Sequence, residues 1–187
     1  MSEIENIINE SSDTILSLKN NSSEIQKAIN SICDCIGAGK KIVLFGNGGS
    51  AADSQHIAAE FLGRFLEERQ SLPAIALSTD TSTITSLSND YSYEIIFQRQ
   101  CESLVEPGDV VFGISTSGNS KNVENGLKIS HEKGATTIGL LGNNGGKIKD
   151  IVDIQIIVNS FSTPRIQEAH RTIYHIICEL VEKSLVK

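Results

Sequence analysis

Five short, nearly continuous apolar runs alternate with stretches of helical periodicity, and this alternation limits the possible folds more than any other feature of the chain. The runs at 41–45, 74–77, 110–114, 137–141 and 154–158 read as strands. Helical patterns fill about 51–67, 80–88, 93–104, 119–133 and 164–185. Strands apolar at successive positions need cover on both faces, which βαβ crossovers supply and isolated hairpins do not. Upstream, Ile4, Ile7, Ile8, Ile15 and Leu16, then Ile25, Ala28, Ile29 and Ile32, mark two amphipathic helices over 3–19 and 22–37. Lys19-Asn20-Asn21-Ser22 breaks them. The expected fold is α/β: a three-layer αβα sandwich around a mainly parallel five-stranded sheet, with N-terminal helices. At 187 residues, without repeat or linker, the chain fits one domain, 1–187.

In open parallel sheets ligands sit beyond the carboxyl ends of the strands. Two loops fall there. Gly46-Asn47-Gly48-Gly49-Ser50 follows the first strand, and Ser115-Thr116-Ser117-Gly118-Asn119-Ser120 follows the third. A glycine-rich turn entering a helix presents backbone N–H groups and a positive dipole end to an anion, and the second loop adds hydroxyl donors. Ser50-Ala51-Ala52-Asp53 has the spacing of a capping box, placing the helix start at Ser50. The helix that follows carries His56 and Glu60, four residues apart and so on one face. Singly, His56 fits a packing histidine, Glu60 a solvated carboxylate and the serines a surface turn; together they describe a site for a phosphorylated metabolite. His131, at a helix end, and His170 are not expected to be ligands.

Other functions are set aside by composition. A net charge of −7 argues against a general nucleic-acid surface. Cys33, Cys35, Cys101 and Cys178 lack CxxC spacing and fit free thiols in a reducing cytosol. The start, Met1-Ser2-Glu3-Ile4-Glu5-Asn6, lacks the basic and apolar parts of a signal peptide, and no apolar run approaches the ~20 residues of a membrane span. A soluble cytoplasmic protein with no membrane partner is expected.

Gly46–Asp53, Ser115–Ser120 and Arg165-Ile166-Gln167-Glu168 together resemble the phosphoheptose isomerases, enzymes of the sugar-isomerase (SIS) fold. The likeness runs over nearly the whole chain. It implies isomerisation of sedoheptulose 7-phosphate to D-glycero-D-manno-heptose 7-phosphate, an early step toward heptose precursors of lipopolysaccharide or capsule. It also implies a zinc ion, one per site, on His56, Glu60, Gln167 and His175, with Glu60 and His175 catalytic. Substrate contacts would fall on Asn47, Gly48, Gly49, Ser50, Glu60, Arg64, Asn89, Asp90, Ser115, Thr116, Ser117, Ser120 and Gln167. The resemblance further implies a homotetramer with sites at subunit interfaces, the N-terminal helices of about 1–37 packing between subunits.

The chemistry suits these residue types. Aldose–ketose isomerisation through an enediol needs a base near C1 and C2 and an acid near the oxygens. Glu60 is the candidate base. His175, with an unperturbed pKa of about 6.5, is its partner. His and Glu are ordinary zinc ligands. Gln167 and His175, however, stand eight residues apart on one helix, roughly 12 Å, so a neighbouring subunit is expected to complete the metal site. Two alternatives share the fold. One is the non-catalytic, replication-initiator-associating adaptors, which the segment from Ser71 to Asp80 also resembles; the other is an isomerase of a different ketose phosphate. A sugar-phosphate sensor would need a DNA-reading module, and no helix-turn-helix pattern is present.

Overall fold

The computed structural model describes residues 2–185; Met1, Val186 and Lys187, counted in the expected domain, lie outside the described residues. Two helices lead the chain, α1 (Glu3–Ser17) and α2 (Ser22–Gly37), joined by a 3-10 turn at Leu18–Asn21. Ser2 caps α1 through a reciprocal pair with Glu5: Ser2 Oγ accepts from the Glu5 amide, and a Glu5 carboxylate oxygen accepts from the Ser2 amide.

Strands and helices then alternate: β1 (Ile42–Gly46), α3 (Gly49–Leu62), β2 (Ala74–Ala76), α4 (Thr81–Asp90), α5 (Ile96–Leu104), β3 (Val110–Ser115), α6 (Lys121–Glu132), β4 (Thr136–Leu141), β5 (Ile154–Ile157) and α7 (Thr163–Leu185). The sheet is all parallel, in the order β2-β1-β3-β4-β5. Side-chain alternation divides the central strands between two cores. Ile42 and Leu44 join Val110, Phe112 and Ile114 under α2, α3 and α7, whereas Val43, Phe45 and Val111 face α5 and α6. On the second face Phe45 is fully buried and its ring stacks on Phe97 at 4.8 Å. Burying one such ring contributes about 1.5–3 kcal/mol.

Two expected boundaries move. The helix expected to reach residue 67 stops at Leu62, because Gly63 ends it and the chain then runs without regular structure to β2. The expected cap at Ser50 is also not formed. Gly48, at φ 55°, occupies the cap position, and Ser50 is buried as the second residue of the helix. Asp53, freed from capping, turns inward and accepts from Tyr174 Oη at 3.3 Å and from Arg171 at 3.4 Å.

Candidate active site

β1 is followed in space by β2 on one side and β3 on the other, so the chain's winding direction reverses between β1 and β3. The crevice at that reversal lies between the carboxyl ends of the two strands. Both expected loops open there, since Gly46 and Ile114 are register partners. Strand order alone brings them side by side.

The first loop turns directly into α3. Ser50 N and Ala51 N donate back to the carbonyls of Asn47 and Gly48 at 2.9 and 3.1 Å, leaving the amides of the two glycines at the positive helix end. A Cβ on Gly49 would stand 2.6 Å from Nε2 of Gln167, so the missing side chain leaves room for the Gln167 amide beside the loop. Asn47 is fixed sideways by a reciprocal amide pair with buried Asn122 (2.8 and 2.9 Å), and it accepts from the Tyr93 hydroxyl at 2.9 Å.

In the second loop Ser115 closes β3 and is buried, while the following residues reach outward. Ser115 Oγ lies 3.0 Å from Ser120 Oγ and 3.5 Å from Ser117 Oγ, so three hydroxyls gather within one phosphate's width, with Thr116 in the same turn. The turn is braced from behind. Gly118, at φ 66°, touches the backbone of Gly145, where a Cβ would stand 2.2 Å from the carbonyl oxygen. The amides of Ile148 and Lys147 donate to Gly118 O and Asn119 Oδ1 at 3.0 and 3.1 Å. This brace, over residues 142–148, carried no sequence signal beyond its glycines.

Beside the first loop, α3 and α7 bring three titratable side chains together within one chain. His56 Nε2 lies 2.8 Å from Glu60 Oε1, and the His56 and His175 rings meet edge to face at 5.3 Å. Burial pulls the His175 pKa below its ordinary 6.5, and the neighbouring His56 lowers it further against the upward pull of Glu60; the ring is therefore neutral near pH 7. Tyr174 Oη lies 3.2 Å from His56 Nδ1 and 3.3 Å from Asp53 Oδ1, a partnership that carried no signal in the sequence reading. Tyr174 and Asp53 thereby hold the ring from its Nδ1 side and aim Nε2 at Glu60, the support from behind that metal-ligating histidines receive.

The remaining candidates are distributed differently. Gln167 sits against Gly49 rather than beside His175, so the four expected ligands do not form one cluster. Among the described residues, no group of three His, Cys, Asp or Glu is arranged to hold a metal ion. Arg64 is exposed, 3.6 Å from Glu68. Asn89 and Asp90 are exposed at the end of α4 and bond to each other at 2.9 Å. Among the described residues, none of these three is hydrogen-bonded to either loop. His131 is exposed beside Asp153 at 3.4 Å. His170 is fully buried, with neither ring nitrogen in hydrogen-bonding geometry.

A five-stranded parallel sheet with a glycine loop and a serine loop at its switch point defines the SIS-domain class, and the SIS domain family model matches residues 8–142. The phosphoheptose isomerase of Geobacter sulfurreducens is 58% identical over 154 residues, 82% of each chain. That of Aquifex aeolicus is 60% identical over 147 residues, 79% of this chain and 77% of the other. The solved phosphoheptose isomerase of Neisseria gonorrhoeae superposes with a TM-score of 0.91 at 37% identity, over 96% of this chain and 97% of the other. The chain belongs to the phosphoheptose isomerase family.

Proposed function

We infer that the protein is an aldose–ketose isomerase that converts sedoheptulose 7-phosphate to D-glycero-D-manno-heptose 7-phosphate. The observation that carries this reading is the meeting of Glu60, His56 and His175 beside two anion-binding loops, in a chain 58–60% identical to phosphoheptose isomerases. The hydroxyls of Ser115, Ser117 and Ser120 and the amides of the turn hold the phosphate without a lysine. The amides of Gly48 and Gly49, with Asn47 and Gln167, orient the sugar's hydroxyl end. Glu60 takes a proton from C1 of the ketose and returns it to C2, while neutral His175 relays the proton that leaves O1 and arrives at O2; this conserves all atoms and charge.

Zinc is part of the proposal. Two imidazoles and a carboxylate suit it, and the Tyr174 contact at His56 Nδ1 orients the ring so that Nε2, bonded to Glu60 in the chain as folded, would coordinate in place of that bond. In the chain as folded these three do not converge on one point, so His56, Glu60 and His175 would hold the ion after their side chains turn toward it, with Gln167 as a weaker oxygen donor. When bound, zinc would polarise the carbonyl and stabilise enediolate charge. A homotetramer is supported by the unpartnered apolar face of α1, where Ile4, Ile7, Ile8, Ile15 and Leu16 are exposed. No helix among the described residues is long and apolar enough to cross a membrane; free cysteines throughout support a cytoplasmic location.

The test is direct. Protein loaded with zinc is incubated with sedoheptulose 7-phosphate, and the aldose anomeric proton is followed by NMR. Turnover that falls on chelation and returns with zinc supports the reading. Full activity in metal-free protein would remove zinc from it, and no turnover in loaded protein would favour the adaptor role or another ketose phosphate.

A further inference from the structure

Arg69 and Glu182 stand outside the cluster of Glu60 and His175 yet grip both of the helices that supply it. Their side chains are 6% and 2% exposed, and Arg69 Nε donates to Glu182 Oε1 at 2.8 Å. A buried ion pair stabilises only when its other donors and lone pairs are also met. Here the backbone meets them. Arg69 Nη2 donates to the carbonyl of Glu60 at 2.8 Å, and Nη1 donates to those of Phe61, Gly63 and Gln70 at 2.9, 3.1 and 2.9 Å. Glu182 accepts from the amides of Phe65, Leu66 and Glu67 at 2.8, 2.6 and 2.9 Å. Burial raises the Glu182 pKa, but these amides and the guanidinium outweigh it and hold the carboxyl down to about 2.

The partners are the ones that matter to the site. The carbonyls of Glu60 and Phe61 lie in the last turn of α3, where no intrahelical donor remains. Arg69 therefore secures the turn on which Glu60 stands. Phe65, whose amide Glu182 holds, lies with its ring 5.6 Å from that of His175. Glu182 and His175 are seven residues apart on α7, close to two turns, so one helix face carries both.

We propose that Arg69 and Glu182 are positioning residues that fix Glu60 at the end of α3 against His175 on α7. The proposal rests on the proton-transfer roles inferred above for that pair. Displacing reacting groups by about 1 Å can cost ~10²-fold in rate, and nothing else described in the structure ties the residue 63–70 segment to α7 through so many bonds.

Two variants test it. Glu182→Gln keeps the shape, removes the charge and sets a carboxamide NH2 where an oxygen accepted from backbone amides or Arg69. Arg69→Lys keeps the charge but loses the planar fork that serves four carbonyls. Glu179→Gln, which alters only an exposed pair with Lys183, is the control. The readouts are kcat and KM for sedoheptulose 7-phosphate per folded protein, with folding checked by circular dichroism, and the His175 ring resonances in a 1H–15N spectrum. Both variants should lose about 10–100-fold in kcat while KM stays within about twofold, because the phosphate loop stands on other elements. The His175 resonances should move in both and stay in place in the control. Wild-type kcat in a folded variant, or lost kcat with unmoved His175 resonances, overturns the proposal. If Glu182→Gln does not fold, Arg69→Lys decides by the same measures. If the wild type itself shows no turnover, the functional reading fails separately: moved His175 resonances then still support the clamp, and unmoved ones overturn it.

Discussion

At Glu60 a helix carboxylate lies 2.8 Å from His56, and among the described residues no lysine or arginine side chain forms an ion pair with it. Glu60→Gln preserves the shape and removes the proton acceptor; His175→Gln removes the titrating partner. Each should lower kcat by roughly 10²–10⁴-fold, the usual scale for acid–base catalysis, with size-exclusion profiles unchanged. Wild-type turnover in Glu60→Gln would end its assignment as base. His170 bears on stability instead. Burial pushes its pKa from 6.5 to about 4, against a smaller upward pull from the Leu141 backbone. A histidine with a depressed folded pKa binds fewer protons folded than unfolded between those values, so stability falls as pH drops from 6.5 toward 4. Urea unfolding at pH 7 and pH 5 should show a loss on the order of 1–2 kcal/mol in the wild type, and a clearly smaller one in His170→Leu. Equal losses in the two proteins would place the acid sensitivity elsewhere.

Elements decide how accurately such residues meet. The serine turn is held by contact with the 142–148 segment, so its hydroxyls are arranged before substrate arrives. Ser117→Ala and Ser120→Ala should therefore mainly raise KM, since binding to a distant phosphate is shared by ground and transition states. An unchanged KM for both in steady-state assays would move the phosphate to another site. The capping pattern at Ser50 and Asp53 does not form a cap. Hydroxyl and carboxylate had the right spacing, yet the backbone turns at Gly48, and Asp53 is drawn inward by Tyr174 and Arg171, far along the chain. The early end of α3 has a similar cause. Arg69 and Glu182 satisfy the end of the helix and the segment after it, more than a hundred residues apart in sequence.

For the whole molecule, the exposed isoleucines of α1 matter most. Ile8 is 60% exposed and Ile4 70%, on a helix with no buried residue. Apolar surface gathered on one helix face marks an interaction site. Ile8→Glu should disperse the proposed tetramer in light scattering coupled to size exclusion, with the monomer's circular dichroism retained. A tetramer that persists unchanged would place the interface on another surface.

The sequence by itself determined the number, type and order of the elements, because hydrophobic period and glycine punctuation act locally: the five strand runs match β1–β5 to within about two residues. It also marked both loops and the pair His56 and Glu60, which one helical turn places together. Only the tertiary structure decided the strand order that sets the loops side by side, the approach of His175 to His56, and the position of Gln167 against Gly49. Spacing on α7 separates Gln167 and His175 by roughly 12 Å, which is why a neighbouring subunit is expected to contribute to the metal site. In the folded chain, packing of α7 on α3 already brings His56, Glu60 and His175 together while Gln167 stays at the loop. Such meetings depend on which helix faces which, and that is set by burial over the whole sheet and not by any local run of residues.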